Sequence, residues 1–197
     1  MRAIFLDKDG TLIKDVSYNI DPALIELSDR AGDGLRLFRQ LGYRLFVVTN
    51  QSGIAQGFFT EAALLPMQRR LAQLLREQQT LLDGFYYCPH LPHGSVARYA
   101  VDCNCRKPMP GMLWCAAREH HLDLSASWMI GDILHDIEAG NRAGCKTVLI
   151  DNGNETEWEL SVLRTPDIVI PDLHAAALAI AGRHRMAQGK RMETPAS

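Results

Sequence analysis

The chain has 197 residues, 47% hydrophobic and 22% charged, which is enough for one domain with its own core. Its 21 Lys and Arg stand against 23 Asp and Glu, a formal net charge of −2, so no overall field would gather nucleic acid or an anionic membrane. Any anionic ligand must be held by a local cluster.

In chain order, the first element is the apolar run Arg2 to Asp7, a predicted strand. It runs into the stretch Ile4 to Leu12, IFLDKDGTL, where two acids sit two residues apart with Gly10 directly behind. Residues two apart on an extended chain point the same way, so Asp7 and Asp9 can share one side of the strand's end. Two such charges are tolerable with a cation between them or a proton on one of them. Hard oxygen ligands of this kind suit Mg²⁺. Taken alone, the pattern reads equally well as a turn, where Asp and Gly are common. Lys8 between them is expected to face the other way.

A helical pattern follows over Gly34 to Leu41, then a strand over Tyr43 to Asn50. This strand ends in VVTNQSG, a hydroxyl- and amide-rich turn suited to phosphate oxygens through Thr49 and backbone N–H groups. The next helix spans Thr60 to about Gln79, with Pro66 predicting a kink or a late start. A strand over Gly84 to Cys88 leads into a cysteine-bearing loop. There Cys88-x-His90 is followed after twelve residues by Cys103-x-Cys105, a Cys₃His set of tetrahedral zinc type, with His93 an alternative imidazole. Arg106 and Lys107 come immediately after.

A helix over Pro110 to His121, a strand over Ser127 to Asp132 and a helix over Asp136 to Ala143 come next. Asp132 ends its strand, and Asp136 falls one helical turn later. Strands over Lys146 to Asp151 and Asp167 to Asp172 and a helix over Leu173 to Ala181 complete the pattern. The segment between Asp151 and Pro166 is partly helical through Trp158 and Leu160. From Arg183 onward the sequence lacks apolar periodicity and reads as a frayed tail, a peripheral anion contact being its other reading.

Continuous apolar strands alternating with helices imply an α/β fold with a doubly wound, mainly parallel sheet, a single domain over residues 1–182 and a disordered tail over 183–197. In such folds ligands bind at the carboxyl ends of the strands, so Asp7, Asp9, Thr49, Asn50 and Asp132 are expected to converge on one edge. The start of the chain has no signal-peptide apolar region, and no run approaches the roughly 18 to 20 apolar residues of a membrane span. A cytoplasmic protein, a monomer with no membrane or nucleic-acid partner, is expected.

Four stretches in order, DKDGTL, VVTNQSG, CRKP and MIGDILHD, resemble the haloacid dehalogenase superfamily of phosphotransferases. The resemblance implies Asp7 as nucleophile, Asp9 as general acid/base, and Thr49 and Lys107 holding the phosphoryl oxygens. It implies Mg²⁺ on Asp7, Asp132 and the backbone carbonyl of Asp9, with Asp136 as possible support. Superfamily members often carry Lys or Arg where this chain has Ile133. The bulky cap domain is absent, since no large insertion follows Thr11 and none beyond the cysteine loop follows the second strand.

With its zinc loop, the chain resembles one subfamily more closely, the heptose bisphosphate phosphatases of lipopolysaccharide precursor synthesis. It is also similar to histidinol-phosphate phosphatases. The heptose resemblance implies substrate contacts at Asp15, Val16, Ser17, Tyr18, Asn50, Gln51 and Ser52, with Arg106 aiding recognition. A small phosphorylated sugar is the implied substrate and a non-catalytic phosphosugar-binding module the alternative of another class.

Overall fold

The computed structural model describes residues 1–192, with side chains described through residue 184. Its main elements are β1 (Ala3–Leu6), α1 (Ala31–Gln40), β2 (Arg44–Asn50), α2 (Leu64–Glu77), β3 (Gly84–Cys88), α3 (Gly111–His120), β4 (Trp128–Gly131), α4 (Leu134–Ala143), β5 (Lys146–Ile150), β6 (Ile168–Ile170) and α5 (Leu173–Met192). The six strands form one sheet in the order β3-β2-β1-β4-β5-β6, and every neighbouring pair is parallel. The chain winds from β1 out to β3, then crosses back to lay β4 on the other side of β1. That reversal opens a crevice at the carboxyl ends of β1 and β4, where sheets of this kind bind ligands.

The strands are apolar throughout because both faces are covered. In β1 all four residues are buried. Ile4 and Leu6 point into a core shared with Leu35 and Phe38 of α1, Leu71 of α2 and Ala177 of α5. Ala3 and Phe5 point into a second core with Leu113 of α3 and Ala139 of α4. One strand thus feeds two cores by the two-residue alternation of extended backbone.

Gly140 shows how closely α4 lies on the sheet. A Cβ there would stand 2.6 Å from the Met129 Cβ and 2.7 Å from the Thr147 Cγ2. Pro66 falls in the first turn of α2, where its missing N–H has no intrahelical partner, so the helix starts late rather than kinking.

Two segments differ from expectation. Between Asp151 and Pro166 only a short turn over Val162–Arg164 is helical, because Asn152, Asn154 and Glu155 are tied instead to the ends of β1 and β4. Helix α5 continues past Ala181 to Met192, and His184 is fastened to Arg2 and Tyr43, so the expected frayed segment does not begin at Arg183. Its last five residues, 193–197, lie outside the described residues. Among the described residues no helix is long and apolar enough to cross a membrane.

Phe5 is fully buried, 5.7 Å from the Phe46 ring between centroids. Phe5→Ala should cost about 3–5 kcal/mol of stability by removing the buried ring and leaving a cavity. Urea unfolding would read this as a lower midpoint at unchanged slope.

Candidate active site

Asp7 follows β1 directly, and its backbone N–H still bonds to the Ile130 carbonyl of β4 at 2.9 Å. That bond aims Asp7 at the crevice. From the far side Lys107 reaches in and is 3% exposed. Its Nζ stands 2.5 Å from Asp7 Oδ1 and 2.6 Å from Asp136 Oδ1. Asp7, Asp9, Thr49, Lys107 and Asp132 line one cavity of about 220 Å³, together with Asp15, Asn50, Ile133 and Asn154.

The electrostatics are unbalanced. Asp7, Asp132 and Asp136 are each less than a tenth exposed, and one ammonium answers three carboxylates. Burial works against the charge on Lys107, but Asp136 and Asp7 outweigh it and hold the ammonium above the ordinary lysine range. Burial pushes the Asp132 carboxyl up to about 6, with Asp7 adding to it. Burial raises the Asp136 carboxyl, and the Lys107 ammonium pulls it the other way. Asp9 is also raised, by burial first, against the opposing pull of Lys8.

One oxygen from each of Asp7, Asp132 and Asp136 lies within 4.8 Å of the others. Asp136 Oδ1 and Asp9 Oδ1 each face a single ammonium, Lys107 Nζ at 2.6 Å and Lys8 Nζ at 2.9 Å. Three crowded carboxylates answered by one ammonium fit a divalent cation.

Neighbouring groups fix these acids. Thr11 donates to Asp132 Oδ1 at 3.0 Å and Asn154 donates to Asp132 Oδ2 at 2.7 Å. Asn152 donates to the Gly10 carbonyl at 2.7 Å. Gly10 itself adopts φ +75°, and a Cβ there would stand 2.0 Å from Asp132 Oδ2. The glycine is therefore required by the approach of Asp132 and Asn154 as well as by the turn. Gly131 plays the same part below, where a Cβ would stand 2.2 Å from the Asp136 Cβ.

The turn after β2 has two amides with separate tasks. Gln51 donates to Thr49 Oγ1 at 3.0 Å and to Asp9 Oδ2 at 3.4 Å. Asn50 donates to the Lys107 carbonyl at 3.1 Å and accepts from the Lys107 N–H at 3.0 Å. Both ends of the Asn50 amide are thus spent on the backbone of the lysine. Of the residues expected to touch substrate, Asp15, Tyr18, Asn50, Gln51 and Ser52 line an adjoining cavity of about 130 Å³. Val16 and Ser17 stand exposed on the same loop outside it.

Lys8 departs from expectation: it is 1% exposed and its Nζ stands 2.9 Å from Asp9 Oδ1. The chain turns immediately after β1, so the alternation that would send Lys8 away no longer holds. Thr11, Asn152 and Asn154 were not singled out from sequence. The only signal was the run of polar residues DNGN directly after β5.

The cysteine loop hangs from the end of β3. Cys88 Sγ, His90 Nδ1, Cys103 Sγ and Cys105 Sγ all lie within 4.8 Å of one another. Cys105 Sγ is 3.2 Å from both other sulfurs and 3.4 Å from His90 Nδ1. Contacts with Cys88, Cys103 and His90 lower the Cys105 thiol below the ordinary cysteine range. Three sulfurs and one imidazole nitrogen at these separations could hold zinc. The loop is seated on the body by Tyr87, which donates to Glu61 at 2.5 Å, and by Tyr99, which donates to the same carboxylate. The Arg106 guanidinium donates to the carbonyl of His90 at 3.2 Å, tying the Arg106–Lys107 pair to the ligand set.

The HAD-hydrolase-like family model matches residues 104–176. A D-glycero-beta-D-manno-heptose-1,7-bisphosphate 7-phosphatase from Salmonella typhi is 42% identical over 170 residues, covering 82% of this chain and 90% of that protein. The protein of the same name from Haemophilus influenzae is 43% identical over 159 residues, covering 80% and 86%. The chain belongs to the haloacid dehalogenase-like hydrolases. Among solved structures, the D,D-heptose 1,7-bisphosphate phosphatase of B. bronchiseptica, crystallised with magnesium and phosphate, superposes with a TM-score of 0.75 at 28% identity. The match covers 93% of this chain and 99% of that one. This haloacid dehalogenase-like chain is an enzyme, a phosphatase, on a parallel sheet with a Cys/His cluster that could hold zinc.

Purified protein should carry about one zinc per chain by elemental analysis, the stoichiometry of a closed four-ligand site. Cys103→Ser/Cys105→Ser should lose the metal and raise KM for a phosphomonoester while the far-UV circular dichroism of the sheet persists. Loss of the sheet signal together with the metal would show that the loop is not a local clip.

Proposed function

We infer that the protein is a Mg²⁺-dependent phosphomonoester hydrolase that removes the 7-phosphate of D-glycero-β-D-manno-heptose 1,7-bisphosphate. The observation that carries the reading is Lys107 held against Asp7 at 2.5 Å with Asp132 and Asp9 on the same cavity. The names of its 42%-identical relatives supply the substrate.

In this reading Lys107 takes one oxygen of Asp7. Among the described residues the other, Oδ2, has no hydrogen-bond partner and is the nucleophile for phosphorus. Attack forms an aspartyl phosphate and splits one hydrolysis into two displacements. Asp9, whose pKa burial raises, gives its proton to the leaving alkoxide and then takes one from the attacking water. Thr49 and Lys107 hold the transferring oxygens, and Gln51 keeps Thr49 and Asp9 in register. Asp7, Asp132 and the backbone carbonyl of Asp9 would hold Mg²⁺, with Asp136 supporting through Lys107. Bound there, the ion neutralises charge on the phosphoryl oxygens. Arg106, fixed by the zinc loop, suits bidentate contact to the remaining phosphate or to sugar hydroxyls.

Release of inorganic phosphate with Mg²⁺ tests the chemistry. Asp7→Asn should lower turnover by at least about a thousandfold, since an amide cannot form the acyl phosphate. Equal activity in both proteins would remove the assignment. Both heptose bisphosphate anomers and histidinol phosphate, run in parallel, test the substrate; preference for histidinol phosphate would replace the sugar.

Asn50→Ala should cost about 10-fold to 100-fold in kcat, because Lys107 would lose the bracket on its backbone. Asn50→Asp, which keeps one acceptor for the Lys107 N–H, should recover part of that loss. A pure KM effect would mark Asn50 as a substrate contact instead.

A further inference from the structure

The opposite edge of the sheet, at the amino-terminal ends of the strands, has a cavity of about 160 Å³ lined by Arg2, Tyr43, Trp128, Lys146, Arg183 and His184. Arg2 precedes β1, Tyr43 precedes β2, Trp128 opens β4 and Lys146 opens β5. At about 3.3 Å per strand residue, this edge lies on the order of 15 Å from the aspartates.

The cations are positioned rather than scattered. The Arg2 guanidinium lies over the Tyr43 ring at 4.5 Å from its centroid. Lys146 and Arg183 lie over the Trp128 ring at 5.4 Å and 5.6 Å. His184 Nε2 is 2.7 Å from Arg2 Nη1 and 2.8 Å from the Tyr43 hydroxyl.

What is missing is an acid. No Asp or Glu lines the cavity, and among the described residues none of Arg2, Lys146 and Arg183 makes an ion pair. Some arginines elsewhere are paired, Arg39 and Arg44 with Asp83 and Arg142 and Arg164 with Glu138, while others such as Arg69, Arg98 and Arg118 make no ion pair among the described residues; what sets this edge apart is that three cations face one cavity. The sequence from Leu173 to Met192 adds Arg185, Lys190 and Arg191 to this end of the chain and contains no Asp or Glu. Three cations facing one cavity make it locally positive and favour an anion there.

We propose that this cavity is a second binding site for a phosphate-bearing small anion, inorganic phosphate or a sugar phosphate, separate from the catalytic edge. Two guanidinium groups and one ammonium match the several acceptor oxygens of a phosphate group. The aromatic rings beneath hold the cations in place without neutralising them.

Trp128 is one of three tryptophans, so Trp114→Phe/Trp158→Phe in the full chain leaves it as the sole reporter. Inorganic phosphate, and separately a hexose phosphate, would be titrated at constant ionic strength without added Mg²⁺, with chloride as control. A saturable change in Trp128 emission with either anion is expected, and the tighter of the two identifies the source. Lys146→Gln/Arg183→Gln changes two exposed residues outside the catalytic edge. It should weaken that response at least about tenfold, as expected for lost charge-assisted contacts, with phosphatase turnover unchanged.

A response matched by chloride, one that never saturates, or one unaltered in the double variant would overturn the site and leave only a solvated cationic face. A response to anionic-lipid vesicles with none to either phosphate compound would overturn it in favour of a membrane contact.

Discussion

A buried ammonium between two carboxylates organises this molecule's working edge. Lys107 cannot occupy its place without Asp7 and Asp136, because a lone cation there would be too costly to desolvate. Nor can the carboxylates crowd together without it. The arrangement still falls short of neutrality, since Asp132 is answered only by neutral donors from Thr11 and Asn154. A fixed shortage of positive charge beside Asp7 suits a site that takes up both a divalent cation and a phosphoryl group.

The surrounding structure serves that shortage from several directions. The switch in winding sets β1 beside β4 and so Asp7 beside Asp132. Asn50 at the end of β2 brackets the backbone of Lys107, and Gly131 leaves room for Asp136 beneath it. The cysteine loop adds a constraint from outside the sheet, as Cys105 stands two residues before the lysine. A metal on that cluster would therefore act at a distance, by limiting where Lys107 can lie.

Much of this was legible in the sequence, for identifiable reasons. Continuous apolar strands ending in Asp7, Thr49 and Asp132 were expected to meet at the carboxyl edge of a parallel sheet, and four candidate ligands crowded into one loop pointed to a metal more than their spacing did. The Lys8 orientation was not legible, because period-two reasoning stops where the strand stops. Thr11, Asn152 and Asn154 were missed because short polar residues in a loop carry no periodicity that says which of them turns inward. The hold of Asn50 on the Lys107 backbone was not legible, because a local motif cannot reveal a partner 57 positions away. The length of α5 was hidden for the converse reason: its end lacks an apolar face, and its anchors, Arg2 and Tyr43, come from the other end of the chain.

The central claim concerns where a divalent cation enters this charge arrangement. Anomalous diffraction from crystals grown with Mn²⁺ as a Mg²⁺ substitute tests it directly. One Mn²⁺ bound by Asp7 and Asp132, with Lys107 still against Asp136, is the expected result. A cation seated on Asp136 with Lys107 displaced, or no anomalous peak at this edge, would contradict it.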